Sequence, residues 1–532
     1  MPISASIKTN LYKDSVALMR IAQTALAREG VRRATLLMGT PANKQMLAQA
    51  GLLRADFEPA RPSDLMIVID AATDDALAAA SADVVRLLEG EPRPQQAGQA
   101  RENPPRSIAM ARARGADAML AQISVPGPYA AAEAMKALRQ GLHVFLFSDN
   151  VPVEQERAIK SLGRAKGLLV MGPDCGTAIL DGTPLGFANV VRQGNIGLVG
   201  ASGTGLQEVT CQIHALGHGI RHAIGTGGRD VSAAIGGSTL HQALEILAAD
   251  PGTRVIGIVS KPPAPEVARE VLERAARIDK PVVVLFLGAD ASVERLSPNL
   301  VPVATLYDVA AATVALADGS RLEAATRDDE ASRSAEREAG RFASGQRYIR
   351  GLYSGGTFCT EAQLLWRGVG LRVHSNAPVD KDLALNEKVR GGEHTAIDLG
   401  ADEFTVGRPH PMIDPGIRID RIAAAAQDAS TAVLVLDVVL GHGAHADPAG
   451  ALAPAIAQAK AACAKNGRHL SVVTFVCGTE EDPQRLSLQQ ARLRDAGALV
   501  VASSTAAARL AGEIALCAAQ EVTFAPAHGA AR

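Results

Sequence analysis

The segment from Asn195 to Gly217, NIGLVGASGTGLQEVTCQIHALG, constrains the fold of this chain more than any other. Its apolar run Ile196-Gly197-Leu198-Val199 has the length of a buried strand. Gly200 to Gly205 is a turn of small residues. Leu206, Val209, Ile213 and Leu216 then recur at helical spacing, and Gly217 is placed to end the helix. A glycine turn between strand and helix aims backbone N–H groups into open space at the positive end of the helix dipole, which suits an anion. The same turn is also plain architecture in α/β proteins, and the segment alone leaves both meanings open.

The rest of the sequence is written in the same format. Hydrophobic residues make up 47% of the 532 positions but aromatics only 3%, so the cores are built from Ala, Val, Leu and Ile. With 50 glycines, this composition favours strand–helix alternation over a sandwich or barrel. The expected fold class is α/β, with Rossmann-like or flavodoxin-like doubly wound parallel sheets in several domains. A formal charge of −2 gives no nucleic-acid footprint. No apolar run reaches the roughly 18–20 residues that cross a bilayer. The opening MPISASIKTNLYKD lacks a signal-peptide layout. Six cysteines without a CxxC indicate neither disulfide scaffold nor zinc site. A cytoplasmic protein is expected, with no metal, no nucleic-acid partner and no membrane partner.

Four regions follow from the pattern. Residues 1–185 form an amino-terminal α/β region with a Rossmann-like unit from about residue 116, after a polar loop from Gly90 to Arg106. Residues 190–317 form a second α/β unit opened by the glycine turn. Residues 318–347 are dense in Arg, Glu, Asp and Ser and read as a polar linker, partly helical. Residues 348–520 form a third α/β unit, in which Gly351 to Thr357 opens a helix. The second and third units share glycine-rich turns after buried strands, with no short sequence repeat evident between them. In doubly wound sheets functional groups gather at the carboxyl ends of strands, where Asp174 and Cys175 are expected.

Several strings carry a resemblance. Gly172-Pro173-Asp174-Cys175-Gly176 is similar to the GPNC turn of the succinyl-CoA synthetase α subunit, and Gly197 to Thr204 is similar to its SRSGT turn at the start of a "power helix". Residues 349–520 resemble the carboxyl-terminal ligase domain of the β subunit. MGTPANK, FSDNV, GLLVMGPDCGT, GNIGLVGASGTG, GGRD, VSKPPA, GLYSGGT and TVGRPHPMIDP together resemble the FdrA family over nearly the whole chain. That resemblance implies a subunit of oxamate carbamoyltransferase, acting with partner subunits in an oligomeric assembly on oxalurate and phosphate, or on oxamate and carbamoyl phosphate.

The chain departs from the ligase pattern where the relay chemistry resides. After Lys280-Pro281-Val282-Val283 no histidine occurs before the linker, and Ser260-Lys261-Pro262 stands where the orienting glutamate belongs. No ATP-grasp domain is present. The amino-terminal region lacks the glycine loop for the CoA pyrophosphate, which makes CoA a doubtful cofactor.

The expected phosphate or substrate contacts are Ser202, Gly203, Thr204 and Gly205, Gly227 and Gly228, Asp174 and Cys175, and Gly441 and Gly443. The Ser202–Gly205 and Gly441–Gly443 turns are expected as two facing helix starts. Arg229, Lys261, Arg408 and His410 are the candidate catalytic residues, through charge-assisted contacts to phosphate or carboxylate. Structural alternatives stand beside each: an Arg229–Asp230 pair that orders its loop, a buried inert Cys175, and loop-stapling bonds at Arg408 and His410. An acyl-CoA synthetase component and a non-catalytic scaffold are the competing functions.

Overall fold

A computed structural model describes all residues except 1, 12, 14, 27, 41, 42, 45, 46, 49–51, 90–104, 116, 289–296, 321–328, 386–392, 406–408 and 525–532. Most of the loop expected from Gly90 to Arg106, and part of the polar linker, therefore lie outside the described residues. Two compact units divide the chain: Met1–Pro105 with Asp402–Ile413, and Arg106–Ala401 with Asp414–Arg532.

In the first unit, Leu65–Ala71 is the central strand of an antiparallel sheet, flanked by Ile3–Lys8 and Val31–Met38. Successive side chains on a strand point to opposite faces. Leu65, Ile67 and Ile69 therefore pack with Leu18 and Ile21 of helix Ser15–Leu26 and with Val84 and Leu88 of helix Asp74–Glu89. Met66 and Val68 pack on the other side with Leu47, Leu52 and Phe57. Covering both faces explains why this run is apolar without alternation.

The second unit contains three sheets. Leu120–Ile123, His143–Leu146 and Val170–Met171 form a small parallel sheet in chain order, crossed over by helices Gly127–Arg139 and Val153–Ala165. The alternation then breaks. Thr177–Leu180 and Thr183–Gly186 form an antiparallel hairpin that joins the edge of the next sheet.

That seven-stranded sheet has the order Leu300–Pro302, Val282–Phe286, Val255–Ser260, Gln193–Ala201, Ile220–Gly225, Thr177–Leu180, Thr183–Gly186. Gln193–Ala201, which carries the glycine turn, lies between two parallel neighbours, Ile220–Gly225 and Val255–Ser260. The six-stranded sheet is parallel throughout, in the order Val373–Ser375, His394–Asp398, Tyr348–Tyr353, Thr431–Val439, Ser471–Cys477, Leu499–Val501. Tyr348–Tyr353 opens it in the chain and again lies between neighbours reached in opposite directions. Each sheet thus has a switch point at the carboxyl end of its first parallel strand, the place where open α/β sheets collect ligands.

Part of the polar 318–347 segment is packed structure. Helix Asp329–Ala339 buries Ala335 and Ala339, and its Glu338 accepts hydrogen bonds from the Ser471 hydroxyl at 2.5 Å and pairs with His469 at 2.7 Å. Among the described residues no helix is long and apolar enough to cross a membrane.

Candidate functional site

The two switch points meet. Helix Gly203–Ala215 starts from the first sheet with Ser202 as N-cap, whose Oγ accepts the Gly205 N–H at 3.0 Å. Helix Gly356–Gly368 starts from the second, and its N-cap residue, Gly355, has no side chain to cap it. Ser202 Oγ lies 2.6 Å from Thr357 Oγ1, so the helix starts touch. A Cβ built on Gly355 would lie 2.7 Å from the Thr204 side chain, so only glycine permits this approach. Two helix N-termini bring like partial positive charges together, and an anion at their junction is stabilised by both. Ser202, Thr204 and Thr357 are buried, while Gly203 and Gly356 are only partly covered, so solvent reaches the first turn of both helices there.

Two charged side chains flank Gly356. A Cβ on this residue would lie 2.4 Å from Asp398 Oδ2 and 3.1 Å from Lys261 Nζ. Lys261 follows strand Val255–Ser260, which pairs with Gln193–Ala201, and Asp398 ends strand His394–Asp398, which pairs with Tyr348–Tyr353, so each sheet supplies one of the two from the strand beside its switch point. The loop before the helix is fixed from below. The Ser354 N–H donates to Asp437 Oδ1 at 2.9 Å, and the Ser354 hydroxyl donates to Asp437 Oδ2. Arg418 donates to the same carboxylate at 3.0 Å and to the Leu352 carbonyl at 3.2 Å. Both ions are buried. Burial pushes the Arg418 pKa down while Asp437 opposes that shift.

The Gly441–Gly443 turn, expected as the facing helix start, does not open a helix. Gly441 is held by Gln484 through both its N–H and its carbonyl, and a Cβ on it would lie 2.5 Å from the Ala188 carbonyl. Gly443 packs on Phe187, and the next helix begins only at Pro448, capped by Asp447. The partner of the Ser202–Gly205 turn is therefore Ser354 to Thr357.

The remaining candidates divide. Gly227 adopts φ +85 with an ideal Cβ position 2.1 Å from the Pro173 carbonyl, and that of Gly228 lies 3.4 Å from Asp174 Oδ2, so the loop after Ile220–Gly225 packs on the 172–175 turn. Arg229 pairs with Glu156 at 3.0 Å, and Asp230 pairs with Lys160 at 2.7 Å and caps Thr239 and Leu240 N–H groups. The loop is thus ordered by ion pairs to helix Val153–Ala165, not by an Arg229–Asp230 pair. Cys175 is buried, and burial pushes its thiol up to about 12, far from thiolate chemistry. His410 belongs to the first unit, where its Nδ1 accepts the Met412 N–H at 3.3 Å. Arg408 lies outside the described residues.

Sequence reasoning missed Ser354, Gly355, Asp398, Arg418 and Asp437. It also missed Gly356 and Thr357 as the second helix start, for which a signal was present. Aligned on Gly203 and Gly356, both helices begin Gly-Thr and carry a glutamate five residues after the glycine, Glu208 and Glu361. That spacing is a short repeat which the shared format of the two units had concealed.

Three segments match family models: residues 352–514 one described as CoA-ligase, residues 191–288 one described as a CoA binding domain, and residues 1–105 one described as AllF, heavy metal-associated domain. YahF of Escherichia coli is 43% identical over 524 residues, covering 98% of this chain and 100% of YahF. The succinate–CoA ligase (ADP-forming) subunit alpha 2 of Archaeoglobus fulgidus is 29% identical over 184 residues, which are 34% of this chain and 62% of that subunit. A solved ATP citrate lyase from Methanothrix soehngenii, in complex with citrate and coenzyme A, aligns at a TM-score of 0.33 and 17% identity over 43% of this chain and 45% of that one. At that score the structural likeness carries no argument.

The heavy-metal description does not fit the residues present. Residues 1–105 contain neither cysteine nor histidine, the thiolate and imidazole ligands on which transition-metal sites are usually built. No group of three His, Cys, Asp or Glu among the described residues is placed to hold a metal. The CoA-binding match runs against the doubt about CoA raised by the sequence. Within that segment Arg229 is engaged by Glu156, and Lys280 by the Leu247 and Asp250 carbonyls. Lys261 and the two helix starts fit a phosphate, a group that CoA and a carbamoyl phosphate both carry.

Proposed function

The chain belongs to the family of YahF, on a succinyl-CoA synthetase-like scaffold, and on that premise we propose that it is the FdrA-type subunit of a carbamoyltransferase. The site is the junction of the two helix starts. Backbone N–H groups of Gly203, Gly356 and Thr357 hold phosphate oxygens, and Lys261 adds a charge-assisted contact. In the direction that consumes oxalurate, a phosphate oxygen attacks the carbamoyl carbon. The bond from that carbon to the oxamate nitrogen breaks, the nitrogen takes up a proton, and oxamate and carbamoyl phosphate leave. Holding phosphate in line and stabilising the developing oxyanion suffice for such a step, with no covalent enzyme intermediate.

One observation carries this proposal: a helix start at Gly356 whose N-cap is a glycine, facing a second helix start with Lys261 Nζ beside it. The absence of a histidine between Val283 and the end of the linker supports a reaction without phosphoryl relay. The matches over 191–288 and 352–514 favour a second reading, a component of an acyl-CoA ligase.

The test is turnover by the full chain, alone and with its partner subunits, on oxalurate plus phosphate and on succinate plus CoA and ATP. Carbamoyl phosphate is expected from the first mixture, reduced about a hundredfold by Lys261→Met. Formation of a CoA thioester from the second would replace the proposal with the ligase reading. No turnover of either mixture would leave a scaffold.

A further inference from the structure

Glu208 and Glu361 sit at equivalent places, each five residues into one of the two facing helices, and both are fully buried. Their carboxylates converge on the first residue of helix Ser504–Phe524. The Ser504 N–H donates to Glu208 Oε1 at 3.0 Å, and the Ser504 hydroxyl donates to Glu361 Oε2 at 2.6 Å. Glu361 Oε1 also accepts the Leu306 N–H at 2.8 Å and the Thr505 hydroxyl at 2.9 Å, so it binds the starts of two further helices. Gln212 donates to Glu208 Oε1 at 3.1 Å, whereas the buried Glu208 Oε2 meets no N–H or hydroxyl donor, and the only further donor to this carboxylate among the described residues is the weak Cys477 thiol.

We propose that Glu208 and Glu361 are positioning residues of the anion site, which hold the two facing helix starts in register by sharing Ser504 as a common clamp. The inference rests on the anion site proposed above. Its geometry is specific: one serine bonds one glutamate through its backbone and the other through its hydroxyl, so a shift of either helix along its axis breaks one of the two bonds.

The clamp responds to pH. The titratable groups around the pair, among the described residues, are Cys211 on the helix of Glu208, Cys477 at the end of strand Ser471–Cys477, and Asp308 and Tyr353 beside Glu361. None of these is a cation. Burial, with the Glu361 carboxylate nearby, pushes the Glu208 pKa up to about 7. Below that value Glu208 is neutral in the fold. As pH rises through it, Glu208 becomes a buried carboxylate beside that of Glu361, with only the weak Cys477 thiol and no cation to offset the charge, and the repulsion loosens the clamp.

Sulfate, which does not titrate near neutrality, is the probe, with affinity measured by calorimetry on the full chain at about pH 6 and about pH 8. Wild-type affinity is expected to fall about tenfold across this range, and Glu208→Gln to keep the tighter value at both. Ser504→Ala, which retains the N–H but loses the hydroxyl, weakens binding at both pH values, and Ser504→Thr restores it. Equal pH dependence in wild type and Glu208→Gln would overturn the clamp while leaving the anion site standing. So would a Ser504→Ala protein that melts earlier yet binds sulfate as wild type does. No sulfate binding by the wild type would overturn the anion site itself, and the clamp with it.

Discussion

At the scale of single residues, neighbouring glycines at one turn have different reasons to be glycine. A Cβ on Gly203 would meet only Thr177 Oγ1, at 3.5 Å, an ordinary contact. A Cβ on Gly205 would lie 2.2 Å from Ser202 Oγ and 3.1 Å from Thr357 Cγ2, inside the contact that joins the two helices. Gly203→Ala is therefore expected to keep folded stability within about 0.5 kcal/mol of wild type. Its methyl group nonetheless occupies the anion's approach, so phosphate-dependent turnover falls, by about a hundredfold for a displacement of about 1 Å. Gly205→Ala destabilises by about 1–3 kcal/mol through overpacking. Thermal unfolding and turnover of the two variants separate these outcomes, and equal melting temperatures would refute the distinction. The glycine turn was legible in the sequence because glycine, serine and threonine between a strand run and a helix run have few other uses. Which glycine faces solvent was not, since that depends on atoms from residues 177 and 357.

At the scale of elements, the start of helix Gly356–Gly368 depends on a buried ion pair one layer below it. Asp437 holds Ser354 and is itself held by Arg418, with side chains 0% and 3% exposed. Asp437→Ala leaves the guanidinium buried without its counter-charge, an expected loss of about 3–5 kcal/mol. Asp437→Ala with Arg418→Met removes both charges and recovers most of that loss, as read from urea midpoints. A double variant no more stable than Asp437→Ala would show that the pair's geometry, not its charge balance, supports the loop. The individual strands and helices of this region were readable from apolar runs and glycine punctuation. The pairing of helix starts was not, and Gly441–Gly443 was the wrong partner. A glycine turn after a strand signals a tight connection, and at Gly441 that tightness serves the approach of the 188 carbonyl.

At the scale of the molecule, helix Asp329–Ala339 shows how a segment polar enough to read as a linker becomes part of the body. Burial favours the neutral form of Glu338, but hydrogen bonds from His469 and Ser471, aided by His469 and Arg341 charge, hold its pKa down to about 2 from the ordinary 4.5. A carboxylate with a depressed folded pKa stabilises the fold above its unfolded pKa, and that contribution is lost as pH falls from about 4.5 through about 2. Glu338→Gln is expected to flatten the acid limb of a stability–pH curve over that window. A curve parallel to wild type would mean that the helix is held without this contact.

The sequence by itself determined the α/β class, the run of strand–turn–helix units and the anion-suited start at Ser202–Gly205. These follow from local rules: apolar period, glycine at turns and small residues at helix starts. The sequence also holds the repeat of Gly-Thr and Glu at 203, 204 and 208 and at 356, 357 and 361. Its meaning appears only once the two helices are side by side. Tertiary structure alone decided that Thr357 faces Ser202, that Asp398 and Lys261 flank Gly356, that Arg229 and Asp230 turn away to helix Val153–Ala165, and that Ser504 joins Glu208 to Glu361. Those contacts span up to about three hundred positions of chain, and no local pattern encodes them. They arise because buried charges and unpaired backbone groups must find partners wherever packing places them.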